Sequence, residues 1–180
     1  MEPIVYVVDD DEDLRRSLSR LLRSAELEVE TFESADAFLD GELLDRPSCL
    51  VLDIRMPGRS GLELQRELSA RGRSLPIVFL TGHGSVPESV RAMKEGALDF
   101  LEKPFEDDVL LDTVGRALER SQELREESAA LRKIEARFRT LTPREREVFA
   151  LVVTGLLNKQ VAARLGTSVK TIKVHRGLSL

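Results

Sequence analysis

Two hydrophobic periodicities alternate up to residue 122, and this alternation restricts the fold more than any other feature of the chain. Short apolar runs rich in β-branched residues are separated by segments whose apolar residues recur every three or four positions. The runs are Ile4–Val8, Val29–Phe32, Cys49–Ile54, Ile77–Thr81 and Ala97–Leu101. The segments between them are Leu14–Leu22, Ala35–Leu44, Leu62–Leu68, Val86–Met93 and a last one from Val109. The pattern predicts an α/β fold with a mostly parallel sheet and helices on both of its faces.

Charged and hydroxyl side chains stand where the apolar runs end. In a parallel sheet the carboxyl ends of the strands share one edge, and ligands bind beyond that edge. The residues at these ends are Asp9, Asp10, Asp11, Asp53, Thr81 and Lys103. An isolated acid at a strand end is more often a helix cap, an interpretation that fits Asp11 or Asp13. The grouping of carboxylates, a hydroxyl and an ammonium at one edge favours a reaction or binding site.

Asp53 is the candidate nucleophile of this site. An ionised carboxylate accepts a phosphoryl group without a neighbouring base, and the transfer requires charge neutralisation and alignment. Clustered carboxylates favour a hard cation, and Mg²⁺ is commonly held by one or two of them. Lys103 would pair with Asp53 at rest and with the phosphoryl oxygens afterwards, and Thr81 would donate a hydrogen bond to the same oxygens.

The net charge of −5 is unevenly distributed along the chain. Residues 139–180 contain eight Lys or Arg against two Glu, a balance of +6, whereas residues 1–138 carry a balance of −11. An acidic segment followed by a basic one indicates two units with different partners. The basic unit is the candidate for contact with nucleic acid.

The cellular compartment is predicted from the hydrophobic runs, the N-terminus and the cysteine content of the sequence. No apolar run approaches the roughly 20 residues that a membrane helix needs, and acids at position 9 argue against a cleavable leader. The single cysteine, Cys49, lies in the apolar run "CLVLDI" and is predicted to be a buried core residue instead of a reactive thiol. These features predict a cytoplasmic protein without a membrane partner.

The segment after Pro104 contains no proline before Pro143 and predicts a long helix. One row of positions spaced by seven is apolar: Leu110, Ala117, Leu124, Leu131 and Phe138. A coiled coil needs a second apolar row, and Ser121, Ser128 and Glu135 occupy the positions four residues further on. Two interpretations of the linker, residues 123–138, stay open: a partly helical segment with a weak tendency to pair, or a purely solvated charged helix.

Residues 139–180 carry the signals of three short helices. Thr142 is placed to cap the first, Pro143 to occupy its first position, and Glu145 to complete a capping box. A second helix is predicted over residues 159–165 and a third after Ser168. Helix, short turn and helix in a basic segment are typical of a helix-turn-helix.

Four blocks in the first part of the chain identify a resemblance to a known family. "VVDDDED", "LVLDIRMPGRSGLEL", "IVFLTGHG" and "AMKEGALDFLEKPF" resemble the receiver domain of two-component response regulators over residues 3–122. "LTPREREV" and "NKQVAARLGTSVKTIKVHR" resemble the helix-turn-helix output of the NarL/LuxR kind, as in the FixJ-like subfamily. The resemblance implies a flavodoxin-like receiver at 1–122 with five parallel strands in the order 2-1-3-4-5, a helical linker at 123–138 and a helix-turn-helix domain at 139–180.

The resemblance also implies a chemistry for the acidic edge. A sensor histidine kinase would phosphorylate Asp53, and the protein would be a phosphoacceptor switch and not an enzyme, with weak self-catalysed phosphorylation and dephosphorylation. Mg²⁺ would be bound by Asp10, Asp53 and the backbone carbonyl of Arg55, with Asp9 assisting through water. The peptide bond between Lys103 and the proline after it would be cis.

The switch that the resemblance implies joins Thr81 to a protein surface. Thr81 and Lys103 would bind the phosphoryl group, and Thr81 would move toward it. Phe100 occupies the aromatic switch position, where it lacks a hydroxyl, and an interpretation as a core residue carries nearly equal weight. Phosphorylation would promote a homodimer through the face of the fourth helix and fifth strand, around Val86–Met93 and residues 99–100.

The third helix of the basic unit is the predicted recognition helix. The residues placed to approach DNA are Lys170, Thr171, Lys173, Val174, His175 and Arg176. A structural interpretation stands beside this one: Ile172 and Val174 are expected in the core, and His175 is expected to pack or to face a phosphate as readily as to read a base.

Outputs of this kind extend the recognition helix and add a fourth helix, whereas here four residues follow Arg176. We therefore expect a C-terminally incomplete domain, and with it a second hypothesis: an output-impaired regulator that acts as a phosphate sink or as a dimerisation competitor. A third hypothesis is an aspartyl-phosphate phosphatase. That class places a second acid two residues beyond the nucleophile, and Arg55 at this position argues against it.

Overall fold

The computed structural model describes residues 2–82 and 86–179, and it describes their side chains except at 86–89 and 176–179. The chain divides into two compact units, residues 1–126 and 127–180. The first unit contains every strand among the described residues, and the second is helical. No helix in the described part of the chain combines the length and the apolar character that crossing a membrane would require.

The first unit alternates strands and helices along the chain. Its elements are β1 (Ile4–Val8), α1 (Glu12–Ser24), β2 (Glu28–Phe32), α2 (Ala35–Asp40), β3 (Ser48–Asp53), α3 (Gly61–Ala70), β4 (Ile77–Thr81), α4 (Val86–Lys94), β5 (Asp99–Glu102) and the start of α5 (Asp107–Thr140). The five strands form one sheet in the order β2-β1-β3-β4-β5, and all pairs are parallel. The predicted α/β fold class and the implied strand order are confirmed.

Helices cover both faces of the sheet, which explains why β1, β3 and β4 are apolar at nearly every position. Successive strand residues point to opposite faces. Val5 and Val7 belong to a core with side chains from α1 and α5, whereas Tyr6 and Val8 belong to a core with side chains from α2, α3 and α4. The two cores fix the sheet from both sides and thereby fix the edge where its strands end.

Helix α2 is shorter than the sequence predicts. The helix was expected to run to Leu44 and ends at Asp40, so that expectation is wrong. Gly41 follows, and a side chain there would press on the ring of Phe32. The chain then leaves the helix, and the backbone N–H of Leu44 donates to the Tyr6 hydroxyl at 3.1 Å. A tertiary hydrogen bond thus replaces the last predicted turn.

Strand β5 also differs from its apolar run, which begins at Ala97. The structure places the strand at Asp99–Glu102. Gly96 has φ of +94°, a conformation that favours glycine, and Ala97 N–H donates to the carbonyl of Ala92 at the end of α4. Ala97 therefore completes the helix terminus and does not begin the strand.

Helix α5 continues from the first unit into the second and contains the predicted linker, which is helical throughout. Beyond residue 130 its side chains are exposed, among them Leu131 and Ile134. Pairing of this segment with a second copy and full solvation of its charged surface both stay predictions.

The second unit contains α6 (Pro143–Val152), α7 (Asn158–Arg164) and α8 (Val169–Ser179). Thr142 and Glu145 form the predicted capping box, with the Thr142 hydroxyl accepting from Glu145 N–H and the Glu145 carboxylate accepting from Thr142 N–H at 2.7 Å. The buried core of this unit consists of Val148, Val161, Ala162 and Ile172. The expectation that Ile172 is a core residue is confirmed, whereas the same expectation for Val174 is wrong, because that side chain is 57% exposed.

Candidate functional site

The predicted residues meet at the carboxyl edge of the sheet. Asp9 follows β1, Asp53 ends β3 and Thr81 ends β4, and all three are buried, with 1%, 6% and 3% of their surface exposed. Lys103 directly follows β5 and reaches back across the edge. Its ammonium nitrogen lies 2.6 Å from Asp53 Oδ1 and 2.8 Å from Asp9 Oδ2. One half-buried cation therefore bridges two buried carboxylates.

Backbone donors hold the other oxygen of each carboxylate. Asp9 Oδ1 accepts from the N–H of Asp11 at 2.9 Å, and Asp53 Oδ2 accepts from the N–H of Arg55 at 2.7 Å. Charge-assisted hydrogen bonds of this kind orient a carboxylate and stabilise its ionised form. Both acids are thus fixed at either end, by their own loop and by Lys103.

Thr81 and Lys103 are joined through the backbone. The N–H of Lys103 donates to the carbonyl of Thr81 at 2.7 Å, next to the register pair of Thr81 with Glu102. The Lys103–Pro104 peptide bond is cis, as the resemblance implies. The hydrogen bond and the register pair hold Lys103, which directly follows β5, beside Thr81 at the end of β4.

Burial and the shared ion pairs shift the pKa values of Asp53 and Lys103. Burial raises the pKa of Asp53; the hydrogen bond from Lys103 opposes this, and the nearby charge of Asp9 adds to it. Burial lowers the pKa of Lys103, but its hydrogen bonds to Asp53 and Asp9 outweigh burial, so the pKa of the ammonium is raised. One ammonium is shared by two carboxylates, so each carboxylate gains only part of its compensation while the ammonium gains from both.

Two residues that contribute to this geometry are not evident as such in the sequence. Arg15, on α1, donates from Nη1 to the backbone carbonyl of Asp9 at 2.6 Å. Gly61, the first residue of α3, packs so closely on the carbonyl of Asp53 that a Cβ there would overlap that oxygen. No spacing in the sequence identifies Arg15, whereas the position of Gly61 inside "PGRSGLEL" is a signal that a close approach explains.

The remaining acids are exposed and have different roles. The Asp11 side chain accepts from the N–H groups of Asp13 at 2.9 Å and Leu14 at 3.1 Å and caps α1, so its interpretation as a helix cap is confirmed. Asp10 is exposed beside the buried pair. Among the described residues no three His, Cys, Asp or Glu side chains form a metal-binding group. Two buried carboxylates nevertheless match Mg²⁺, which takes one or two protein carboxylates and completes its shell with other oxygens.

Of the predicted switch and dimer residues, Thr81 ends β4, Phe100 lies in β5, and Val90 and Met93 lie in α4. Phe100 is 40% exposed, so its interpretation as a core residue is wrong. Val90 and Met93 on α4 are also exposed apolar side chains. His83 lies outside the described residues, as do the side chains at the start of α4.

The predicted DNA contacts lie on α8 of the second unit. Lys170, Lys173 and Val174 are exposed, and Thr171 is half-buried with its N–H donating to the Ser168 hydroxyl that caps the helix. His175 is half-buried. The hydrogen bonds with Thr142 lower the pKa of Glu145 on α6, and a smaller contribution comes from the neighbouring His175. His175 therefore lies toward α6. The side chain of Arg176 lies outside the described residues.

Cys49 takes no part in the site. It is fully buried in β3, and burial raises the pKa of its thiol to about 12. A thiol that stays protonated and shielded is a poor nucleophile, as predicted for a core cysteine.

Comparison with known proteins gives matches over both units. The family model described as "Response regulator receiver domain" matches residues 5–115, and that described as "Bacterial regulatory proteins, luxR family" matches residues 139–178. Nodulation protein W of Bradyrhizobium diazoefficiens is 52% identical over 174 residues, covering 97% of this chain and 77% of the relative. The transcriptional regulatory protein FixJ of Azorhizobium caulinodans is 49% identical over 173 residues, covering 96% of this chain and 82% of the relative.

Solved structures give the same result. The response regulator StyR matches with a TM-score of 0.83 and 48% identity, covering 98% of this chain and 89% of that one. Full-length FixJ from B. japonicum matches with a TM-score of 0.63 and 43% identity, covering 98% of this chain and 87% of that one.

Proposed function

We propose that this chain, which belongs to the response regulators and joins a receiver domain to a LuxR-type DNA-binding domain, controls transcription through phosphorylation of Asp53. The receiver occupies residues 1–122, the helical linker 123–138 and the helix-turn-helix domain 139–180. A sensor histidine kinase is the phosphoryl donor, and the cytoplasm is the compartment. The match of the LuxR-type family over residues 139–178 favours this function over an output-impaired regulator.

The observation that carries the proposal is the bridge from Lys103 to Asp53 at 2.6 Å. A carboxylate oxygen of Asp53 attacks the phosphorus of a phosphohistidine, a P–O bond forms, and the P–N bond breaks with its electron pair left on the imidazole. Lys103 then leaves the carboxylate and pairs with the phosphoryl oxygens, where the Thr81 hydroxyl donates a hydrogen bond. The ammonium that neutralises the acids at rest thus serves the transferred group.

Residues at the same edge suit a divalent cation. Asp10, Asp53 and the backbone carbonyl of Arg55 would hold Mg²⁺, with Asp9 acting through water. When bound, Mg²⁺ supplies positive charge for the phosphoryl oxygens and orients them. The protein remains a phosphoacceptor switch, with weak self-catalysed phosphorylation and dephosphorylation, and not an enzyme with a separate substrate.

The output follows from the position of Thr81 at the end of β4. Movement of Thr81 toward the phosphoryl group shifts the loop that leads to α4, and Phe100 on β5 responds by packing. Val90, Met93 and Phe100 are exposed apolar side chains on this face, which suits a homodimer. The dimer then presents two α8 helices to DNA.

In the DNA-bound state the α8 helix supplies both charge and base contacts. Lys170 and Lys173 are exposed there and suit phosphate contacts. Thr171, Val174, His175 and Arg176 complete the proposed contact set.

Phosphorylation at one acid is tested by labelling with radioactive acetyl phosphate and Mg²⁺. We expect Asp53→Asn to abolish incorporation of label, because an amide is not a nucleophile toward phosphorus. Asp40→Asn removes an exposed carboxylate at the end of α2, away from the edge, and should label like the unmodified chain. Full labelling of Asp53→Asn would refute the assignment of Asp53.

A further inference from the structure

The first unit has a second concave site, at the opposite edge of the sheet from Asp53. A cavity of about 410 Å³ opens between the last turn of α3, the end of α4, the loop before β4 and helix α5. Pro76 and Ile77 at the start of β4 form its floor, together with Ala97 and Leu98 before β5. Strand β4 separates this cavity from Thr81 by four residue steps, or about 13 Å. A volume in this range is typical of sites for small organic molecules.

The charges around the cavity favour an anion. Arg73 and Arg120 line it, and Glu95 is the one carboxylate among its described lining residues. Glu95 is already neutralised, because its oxygens accept from Arg66 at 2.9 Å and from Arg91 at 3.1 Å. Among the described residues Arg73 forms no ion pair, whereas Arg120 pairs with Glu123 along its own helix at 2.8 Å. Arg73 therefore brings to the cavity a positive charge that no carboxylate among the described residues pairs with.

The backbone carbonyls at the ends of α3 and α4, beside the cavity, mostly accept hydrogen bonds within the protein. The N–H of Gly72 donates to Ser69 and that of Arg73 to Leu68, each at 3.0 Å. The end of α4 is closed in the same way, by Gly96 and Ala97. Because these N–H groups satisfy the terminal carbonyls, the helix ends offer few free acceptors to a ligand.

The cavity wall also contains a polar group that lacks a partner. Gln65, 4% exposed, donates from Nε2 to the carbonyl of Ala92 at 3.2 Å. Its Oε1 is buried without a hydrogen-bond partner among the described residues. An unsatisfied buried acceptor costs roughly 1–3 kcal/mol, and because an amide oxygen repels a carboxylate, the charge of an anionic ligand is expected at the arginines and not beside Gln65.

Three half-buried leucines complete the wall: Leu75, Leu98 and Leu124. They offer apolar surface that stays partly wet in the free protein, beside the two arginines. We propose that this cavity binds a small organic carboxylate, whose apolar body lies against these leucines and whose carboxylate pairs with Arg73 and Arg120. The site is separate from Asp53, and its occupation does not require phosphorylation.

The proposal is tested by titrating the full chain with 2-naphthoate at constant ionic strength and following backbone amides by NMR. The chain contains no Trp and one Tyr, so naphthoate fluorescence gives a second reading of the same binding. We expect saturable shifts at Gly72, Gly96 and Leu98, with a Kd below about 1 mM for a ligand of this size. The neutral analogue 2-naphthalenemethanol should bind at least about tenfold more weakly, because it lacks the ion pair.

Variants that remove one positive charge test where the carboxylate of the ligand binds. Arg73→Gln should raise the Kd for naphthoate at least about fivefold, while Arg71→Gln removes the same charge two residues away, outside the cavity, and should leave the Kd unchanged. Ser69→Trp is expected to fill the cavity and to abolish binding, with circular dichroism confirming the fold. Equal affinity for the acid and the alcohol, equal effects of the two arginine variants, or shifts without saturation would each overturn the proposal and leave phosphorylation of Asp53 untouched.

Discussion

Asp53 is held in an environment that disfavours its own charge. It is buried, it lies near the second acid Asp9, and the one cation that compensates it is divided between the two carboxylates. Burial raises the pKa of Asp53, the hydrogen bond and charge of Lys103 oppose this, and the charge of Asp9 adds to it; the pKa stays raised. A carboxylate under this constraint is stabilised by anything that adds positive charge to the edge, and the proposed phosphoryl transfer with a divalent cation would do so.

The first prediction concerns the stability cost of this carboxylate. Asp53→Asn removes one buried charge and leaves Asp9 paired with Lys103, so the free energy of unfolding at pH 7 should increase by about 1 kcal/mol. The folded protein binds the Asp53 proton more tightly than the unfolded chain does, so ionisation lowers the stability of the unmodified protein as the pH rises through the raised pKa. The difference between variant and unmodified protein should therefore be present at neutral pH and close as the pH falls toward about 3.9, the ordinary value of an Asp carboxyl.

Urea unfolding at a series of pH values measures this difference. The contribution of Lys103 to the free energy of unfolding depends on pH in a different range. The pKa of its ammonium is raised, so this contribution is complete below the ordinary pKa of Lys and is lost only as the pH rises through the raised value. The series should therefore stay below about pH 9. Asp40→Asn is the control and should show no comparable gain. A variant at Asp53 that is less stable at pH 7 would contradict the prediction.

The residues of the site could be predicted from the sequence where they directly follow a predicted strand. Asp9, Asp53, Thr81 and Lys103 follow apolar runs, and parallel pairing brings such positions to one edge. Arg15 was missed, because its bond to the carbonyl of Asp9 depends on how the loop after β1 turns. Local spacing carries no information about such a contact.

At the scale of elements, the hydrophobic periodicity predicts which segments are helices but can misplace where a helix ends. Helix α2 ends four residues early because a tertiary bond to Tyr6 takes the backbone N–H of Leu44. The capping box of α6 was predictable, because Thr142, Pro143 and Glu145 act through contacts within one turn. Sequence patterns that act within one helical turn predict the observed helix end, whereas patterns that compete with long-range contacts do not.

Removal of the cap hydroxyl gives the second prediction. Thr142→Ala should lower the stability of the second unit by about 1 kcal/mol, because the N–H of Glu145 loses its acceptor. Hydrogen exchange of the α6 amides measures the effect directly. Thr154→Ala removes a hydroxyl that donates to the Leu151 carbonyl and caps no helix start, so it should change protection much less. Equal loss in both variants would contradict the role of the cap.

At the scale of the whole molecule, charge and function divide along the chain. The acidic first part contains the edge with Asp9, Asp53 and Lys103, and the basic last part contains the exposed lysines of α8. The sequence predicted both units through their periodicities and composition. The predicted linker, residues 123–138, lies within α5, which is one uninterrupted helix, and the division into compact units falls inside that segment, after Glu126.

The third prediction follows from the basic segment. DNA binding should strengthen on phosphorylation and weaken steeply with salt, because each phosphate contact releases counterions. Lys170→Gln should reduce the slope of log K against log salt concentration by about 1. Fluorescence anisotropy at several salt concentrations measures the slope.

Lys133→Gln, on the exposed part of α5, serves as the matched control and should leave this slope unchanged. A slope that responds equally to both variants would show that α8 is not the contact.

The close packing of Gly61 on the Asp53 carbonyl has a consequence for sequence change in this protein. Glycine costs roughly 1 kcal/mol more than alanine in a helix, yet the first residue of α3 has room for a hydrogen atom alone on the side that faces β3. Every larger residue would push the backbone of Asp53 away from Lys103. Substitutions at Gly61 that raise the stability of this helix would therefore displace Asp53 from its position at the site, so thermostabilising libraries should leave position 61 unvaried.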